Sequence, residues 1–186
     1  MNQTEGIDAT SKFQDSLPVS SDMLLQQLAD WQIEYQRFDH VPLRTVEELK
    51  KVQSLFRSSP QGGGHIKNLY LRDHKKRNIL LVAEQDRQID LKSLSRQLGT
   101  GRLSFGSGDR LLAHLGVQPR AVTPLSMITG VKNSVSLFID CDLRSCSQIY
   151  AHPLVNDRTV ALGIANLELF FRTIRVEPVW VDLSPP

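Results

Sequence analysis

The stretch "GGGHIKNLYLRD", residues 62–73, with the "HKKRNILLVAE" of residues 74–84 behind it, decides how the chain is read. Leu69 and Leu71 alternate with Tyr70 and Arg72, and alternation puts every second side chain on one face of a strand. "NILLVAE" has the length and content of a second strand, and the polar "HKKR" between the two predicts a β-hairpin. Lys67 falls on the face of the two leucines, beside Asn68 and just after three glycines. A buried unpaired charge is costly, so such a lysine must meet an anion, a carbonyl or water. It either snorkels from the strand end or serves a site. Glycines let a second backbone, or a ligand, come close.

Helices and short strands alternate irregularly on both sides of this hairpin. "SSDMLLQQLADW" predicts a helix capped by Ser20 or Ser21, with Met23, Leu24, Leu28 and Trp31 on one face. "IEYQRFDH" reads as a strand, with Ile33, Tyr35 and Phe38 turned inward. "TVEELKKVQSLF" is a helix with a capping box, Thr45 and Glu48. "DLKSLSRQLG" is capped by Asp90 and stopped by Gly99, and "GSGDRLLAHLG" ends at Gly116. "VQPRAVTPLSM" holds two prolines and predicts a firm, non-helical loop. "SVSLFID", "SQIYAHPL", "TVALGI" and "EPVWVDL" are strands, and "NLELFFRTI" is a helix. The order lacks a regular βαβ alternation. It predicts one α/β or α+β domain around a mixed, mainly antiparallel sheet. Residues 1–19 are polar, with few large apolar side chains, and predict a flexible arm ahead of a domain over residues 20–186.

Composition narrows the function without choosing it. The 186 residues are 40% hydrophobic and 23% charged, ordinary for a globular chain that buries its own core. A net charge of +2 implies no large basic surface. Locally, residues 67–77 hold Lys67, Arg72, Lys75, Lys76 and Arg77 against Asp73, a strip able to touch phosphates. Cys141 and Cys146 match neither a disulfide scaffold nor a common zinc pair. No apolar run approaches the ~18 residues of a membrane span, and no signal-peptide pattern opens the chain, so a cytoplasmic protein is expected.

The common catalytic signatures are absent: no P-loop, no GxGxxG after a strand, no HExxH, no G-x-S-x-G elbow. Four polar features remain. Lys67-Asn68 follows the glycines. His152 precedes Pro153, which biases it to an extended backbone. The "RAVTP" loop, residues 120–124, offers backbone amides to a carbonyl or phosphate. His65 shares the register of Lys67 and reads as a surface histidine. Each also has a purely structural reading.

Together, "GGGHIKNLYLRD", "RLSFGSGDRLLAHLGVQPRAVTP" and "AHPLVNDRT" occur in an order and at separations that resemble the YbaK/prolyl-tRNA synthetase-associated editing domains. Within them the chain looks most like the freestanding PrdX or ProXp-ala deacylases, over about residues 22–182. The resemblance implies a compact, partly barrel-like mixed sheet with flanking helices. It implies a trans-editing hydrolase that clears alanine wrongly esterified to the proline tRNA, needing no cofactor and no metal. Lys67 matches the essential lysine; Asn68 and His152 match pocket residues; Arg120, Ala121, Val122 and Pro124 occupy the substrate loop. On this reading the glycine run admits the 3′ end of a tRNA, and water attacks the ester with help from a substrate hydroxyl. Arg72, Lys75, Lys76 and Arg77 are candidate tRNA contacts. A prolyl-tRNA synthetase or elongation factor is a candidate hand-over partner, and a monomer is expected.

One position departs from the pattern. Family members commonly carry glycine where this chain has Arg120. A loop that needs φ > 0 there strains Arg120; otherwise the arginine adds a charge at the mouth. Two alternatives therefore stand beside alanine editing: removal of cysteine, serine or threonine, and a non-catalytic tRNA-binding module.

Overall fold

The expected hairpin is the centre of the larger of two sheets. The structure, a computed structural model, describes residues 8–43 and 46–184, with only the backbone at 46, 47 and 49. In chain order the elements are α1 (Ser21–Asp30), β1 (Gln36–Asp39), α2 (Val46–Gln53), β2 (Gly63–Gly64), β3 (Ile66–Asp73) and β4 (Asn78–Glu84). Then come α3 (Leu91–Gln97), β5 (Leu103–Phe105), α4 (Gly108–Leu115), α5 (Met127–Gly130) and β6 (Ser136–Asp140). The chain closes with β7 (Gln148–Ala151), β8 (Arg158–Gly163), α6 (Ile164–Thr173) and β9 (Val179–Val181).

Local chemistry explains the helix ends. The Ser20 hydroxyl accepts the Met23 N–H at 3.2 Å, and the Asp90 carboxylate accepts the Ser93 N–H at 2.8 Å. Such a cap is worth about 1 kcal/mol. Gly99 and Gly116 leave α3 and α4 with φ of 62° and 67°, the left-handed turn that favours glycine. Thr45, expected to cap α2, lies outside the described residues.

The strands fall into a mixed α/β arrangement, as the sequence predicts. One sheet runs β1-β8-β7-β2 and the other β5-β3-β4-β6-β9. The β3–β4 hairpin is antiparallel, with Lys67 opposite Ala83 and Arg72 opposite Asn78. β4–β6, β6–β9 and β2–β7 are parallel. The two sheets enclose the main core: Tyr70, Leu80 and Val82 from one meet Ile149, Val160 and Leu162 from the other, with α1, α4 and α6 adding Leu28, Leu115 and Phe170. A smaller core lies on the far face of the larger sheet, where Leu71, Ile79 and Leu81 pack under Leu94 of α3. β3 thus has two faces: Asn68 and Tyr70 point between the sheets, and Lys67, Leu69 and Leu71 point toward α3. Among the described residues no helix is long and apolar enough to cross a membrane.

Three expectations need correcting. Residues 8–19 are docked, not free: Ser11 donates its hydroxyl and its N–H to the Asp157 carboxylate at 2.7 and 2.9 Å, and Ala9 is buried in the main core. The non-helical loop ends at Thr123. Pro124 then opens a helical turn that Thr123 caps and α5 continues, because proline lacks only the N–H that a first turn leaves unpaired. Met23 is exposed rather than part of the buried stripe of α1.

Candidate functional site

One cavity, of about 300 Å³, opens where β3 begins. Its wall contains Lys67 and Asn68 from β3, Tyr150 and Ala151 from β7, His152 beyond it, and Arg120 and Val122 from the loop after α4. Sequence-distant segments meet here because β3 and β7 are the inner strands of facing sheets. Lys67, Asn68, His152, Arg120 and Val122 are therefore brought together. Ala121 is fully buried in the main core and Pro124 is buried beside it, so neither lines the cavity. Arg72, Lys75, Lys76 and Arg77 lie at the other end of the hairpin.

Lys67 is half-buried, and its ammonium donates to the backbone carbonyl of Arg87. That answers the question its position raises: at the strand head the side chain leaves the leucine face for a carbonyl. The carbonyl is itself held. The Arg87 guanidinium bonds to the fully buried Asp140 at 3.0 Å and also to Asp142. An ammonium has three N–H donors, so two remain for the cavity. Asn68 supplies the complementary group, since its Oδ1 is buried with no protein partner. Leaving such an acceptor dry costs about 1–3 kcal/mol.

The tautomer of His152 follows from its surroundings. Nδ1 lies 2.8 Å from the Arg158 carbonyl, which can only accept, so Nδ1 carries the proton and Nε2 carries the lone pair. Burial pushes the pKa of His152 down and favours the neutral ring. Hydrogen-bond partners also set the tautomer of His40, 6.2 Å away between ring centres. Its Nδ1 donates to the Val41 carbonyl, and its Nε2 accepts from the Thr159 hydroxyl, both at 2.8 Å. Proline fixes the backbone after His152. Leu154 then turns the chain at φ 67° and is buried, so the motif holds its histidine through packing.

The sequence did not single out the aromatic wall. Phe56 stacks on Tyr150 with centroids 4.3 Å apart, and Tyr150 stacks on His65 at 5.2 Å. His65 is thus a wall residue and not a free surface histidine; its Nε2 also bonds to the Arg57 carbonyl at 2.9 Å. The glycine run plays a different role from the one expected. A methyl at Gly63 would overlap the Arg57 carbonyl. One at Gly64 would strike Ile149 and lie 2.9 Å from the Gln148 carbonyl. Both glycines are buried and serve the tight seating of β2 on β7, with no open face for a tRNA end. Arg120 takes φ 74°, so the loop does require the left-handed region at its first residue, and the arginine is strained there.

Lys67 offers donors, and Asn68 Oδ1 and His152 Nε2 offer acceptors. Among the described residues the cavity wall contains no carboxylate, serine or cysteine, and its hydroxyls are those of Tyr150 and Thr159. Burial raises the pKa of both cysteine thiols, which makes them poor nucleophiles. Among the described residues the only group placed to share a metal ion is Asp140, Cys141 and Asp142, and its two carboxylates already hold Arg87.

The chain is similar to known proteins. Residues 40–170 match the model of the aminoacyl-tRNA editing domain. The chain is 34% identical over 146 residues to the prolyl-tRNA editing protein ProX of Acetoanaerobium sticklandii, covering 78% of this chain and 86% of that one. It is 30% identical over 184 residues to prolyl-tRNA synthetase associated domain-containing protein 1 of Danio rerio, covering 96% and 97%. A solved structure of a candidate trans-editing enzyme for prolyl tRNA synthetase superposes with a TM-score of 0.63 at 16% identity. It covers 87% of this chain and 96% of its own, a likeness of fold.

Proposed function

The chain belongs to the aminoacyl-tRNA editing domain family, and we propose that it is a trans-editing deacylase that hydrolyses the ester of alanine mischarged onto the proline tRNA. One observation carries the reading. Lys67 with its ammonium, Asn68 with its unpartnered Oδ1 and His152 with its free Nε2 line one cavity, whose wall holds no carboxylate, serine or cysteine among the described residues. Such a site suits a reaction in which water attacks and the protein orients. Water adds to the ester carbonyl carbon, and Lys67 donates to the oxygen that gains charge. The bond to the ribose oxygen then breaks, and that oxygen takes up the proton the water loses. Free alanine and a tRNA with an intact terminal ribose result. Asn68 and His152 accept hydrogen bonds from the amino acid's ammonium or a ribose hydroxyl, and so hold the ester in line.

Val122 and Ala151 supply apolar wall around a small side chain. Excluding the larger proline by steric clash is more effective than rejecting a smaller residue, where one methylene is worth only about 1–3 kcal/mol. A second reading has its own observation. Arg120 lines the cavity where family members commonly carry glycine, which favours another mischarged amino acid, namely cysteine, serine or threonine. The test is a panel of proline tRNAs charged with alanine, cysteine, serine, threonine or proline. Rapid loss of alanine alone is the expected result. Loss of another amino acid in its place moves the substrate, and no loss from any member overturns the deacylase reading.

A further inference from the structure

Residues 156–158 lie between the cavity and the N-terminal segment, and each of the three bonds in both directions. On the outer side, the Asn156 N–H donates to the Ala9 carbonyl at 2.9 Å. The Asp157 carboxylate accepts the Ser11 hydroxyl at 2.7 Å and the Ser11 N–H at 2.9 Å. The Arg158 guanidinium donates to Ser21 Oγ at 3.1 Å and to the Asp22 carboxylate at 2.6 Å. On the inner side, the three backbone carbonyls hold the cavity wall. That of Asn156 accepts the Leu43 N–H at 3.4 Å, that of Asp157 accepts the His40 N–H at 3.0 Å, and that of Arg158 accepts from His152 Nδ1 at 2.8 Å. Leu43 and His152 line the cavity, and the His40 ring accepts the hydroxyl of a further wall residue, Thr159.

The bond from His152 Nδ1 decides what the ring can do. An imidazole that loses the acceptor at Nδ1 is free to carry its proton on Nε2 instead, and a protonated Nε2 no longer accepts a hydrogen bond. The outer bonds are suited to keeping that acceptor in place. Those of Asp157 to Ser11 and of Arg158 to Asp22 involve ionised groups, which makes them shorter and stronger than neutral ones. Ala9 is buried in the main core, so packing anchors the same segment. Ala9, Ser11, Ser21 and Asp22 all precede residues 40–170, the stretch that matches the editing domain.

We propose that residues 9–22 form a clasp that positions His152 and the 40–43 wall of the cavity through the carbonyls of residues 156–158, with Ser11 as its central positioning residue. Its effect on catalysis rests on the reading of this chain as a deacylase. With the clasp closed, His152 offers an acceptor to the aminoacyl ester. With it open, the ring exchanges tautomers and the ester is held less well in line.

The test compares the full-length wild type with Ser11→Pro, Ser11→Ala and Ser11→Thr. Ser11 opens a short 3-10 helix, Ser11–Ser16, and Thr10 before it is extended at φ −80° and ψ 163°. Proline is tolerated at a first helical position after an extended residue, and here it removes both donors to Asp157. Alanine removes the hydroxyl alone, and threonine keeps both donors. Two quantities are read: the nitrogen NMR shifts of the His152 ring, which report its tautomer, and single-turnover release of alanine from mischarged proline tRNA at saturating protein. Wild type should show Nδ1 protonated. Ser11→Pro should show averaged ring shifts and release alanine about 10- to 100-fold more slowly, the effect of a misplacement of about 1 Å. Ser11→Ala should fall between, and Ser11→Thr should match wild type. Should Ser11→Pro fail to fold, Ser11→Ala against Ser11→Thr makes the same comparison. Ring shifts and rates equal to wild type in both the proline and alanine variants overturn the inference. So does slower release with the ring shifts unchanged, which marks a structural role only. A wild type that releases no alanine removes the deacylase reading alone, because the ring shifts still decide whether the clasp sets His152.

Discussion

Replacing Arg120 with glycine should make the protein more stable, although it deletes a large side chain. Arg120 is exposed and holds φ at 74°. A non-glycine residue in the left-handed region costs about 1–2 kcal/mol. Glycine escapes that cost but loses about 0.4–1 kcal/mol through the greater freedom of its unfolded chain. Arg120→Ala is the matched control, because it removes the same charge and stem while keeping the Cβ. Glycine should therefore exceed alanine by about 0.5–1 kcal/mol. For a chain of this length that is about 1–4 °C in Tm, read by thermal unfolding followed by circular dichroism. An alanine variant as stable as the glycine variant, or more so, would show that the loop does not strain its first residue. The reasoning about why this chain tolerates an arginine there would then fail.

Further perturbations separate structural from functional roles. Gly64→Ala should lower Tm, by the equivalent of about 1–3 kcal/mol of overpacking, because its methyl meets Ile149 and the Gln148 carbonyl; an unchanged Tm with weakened tRNA binding would restore the idea that the glycines receive substrate. Asp140→Ala leaves the Arg87 guanidinium buried without its main partner and should cost about 3–5 kcal/mol, measured by urea unfolding, with a loss under 1 kcal/mol counting against the pair. The pKa values of His152 and His114 are both lowered, chiefly by burial. The unfolded chain therefore takes up protons first as pH falls through about 6.5, and stability present above that value declines below it; a denaturation midpoint that rises on acidification through this window would contradict the burial of the two neutral rings.

Much of the fold is legible because its signals are local. Alternating leucines mark the hairpin, and Ser20, Asp90, Gly99 and Gly116 mark helix ends through hydrogen bonds that span a single turn. β2 and β5, two and three residues long, are too short to show a period. The site divides in the same way. Lys67, Asn68 and His152 stand in motifs, whereas the stack of Phe56, Tyr150 and His65 comes from three separated segments and exists only once β3 faces β7. The glycine run misleads for the same reason: what it accommodates is the Arg57 carbonyl and Ile149, neither predictable from its neighbours. Docking of residues 8–19 depends on Asp157, 146 residues beyond Ser11.

The account turns on Lys67, so the most direct measurement is single-turnover release of labelled alanine from mischarged proline tRNA by wild type and Lys67→Ala. Removing one preorganised donor to a developing oxyanion typically slows a reaction about 100- to 1000-fold. The account predicts a loss of that order, with the circular dichroism spectrum unchanged and with correctly charged prolyl-tRNA left intact by wild type. A Lys67→Ala protein that releases alanine at the wild-type rate would contradict it.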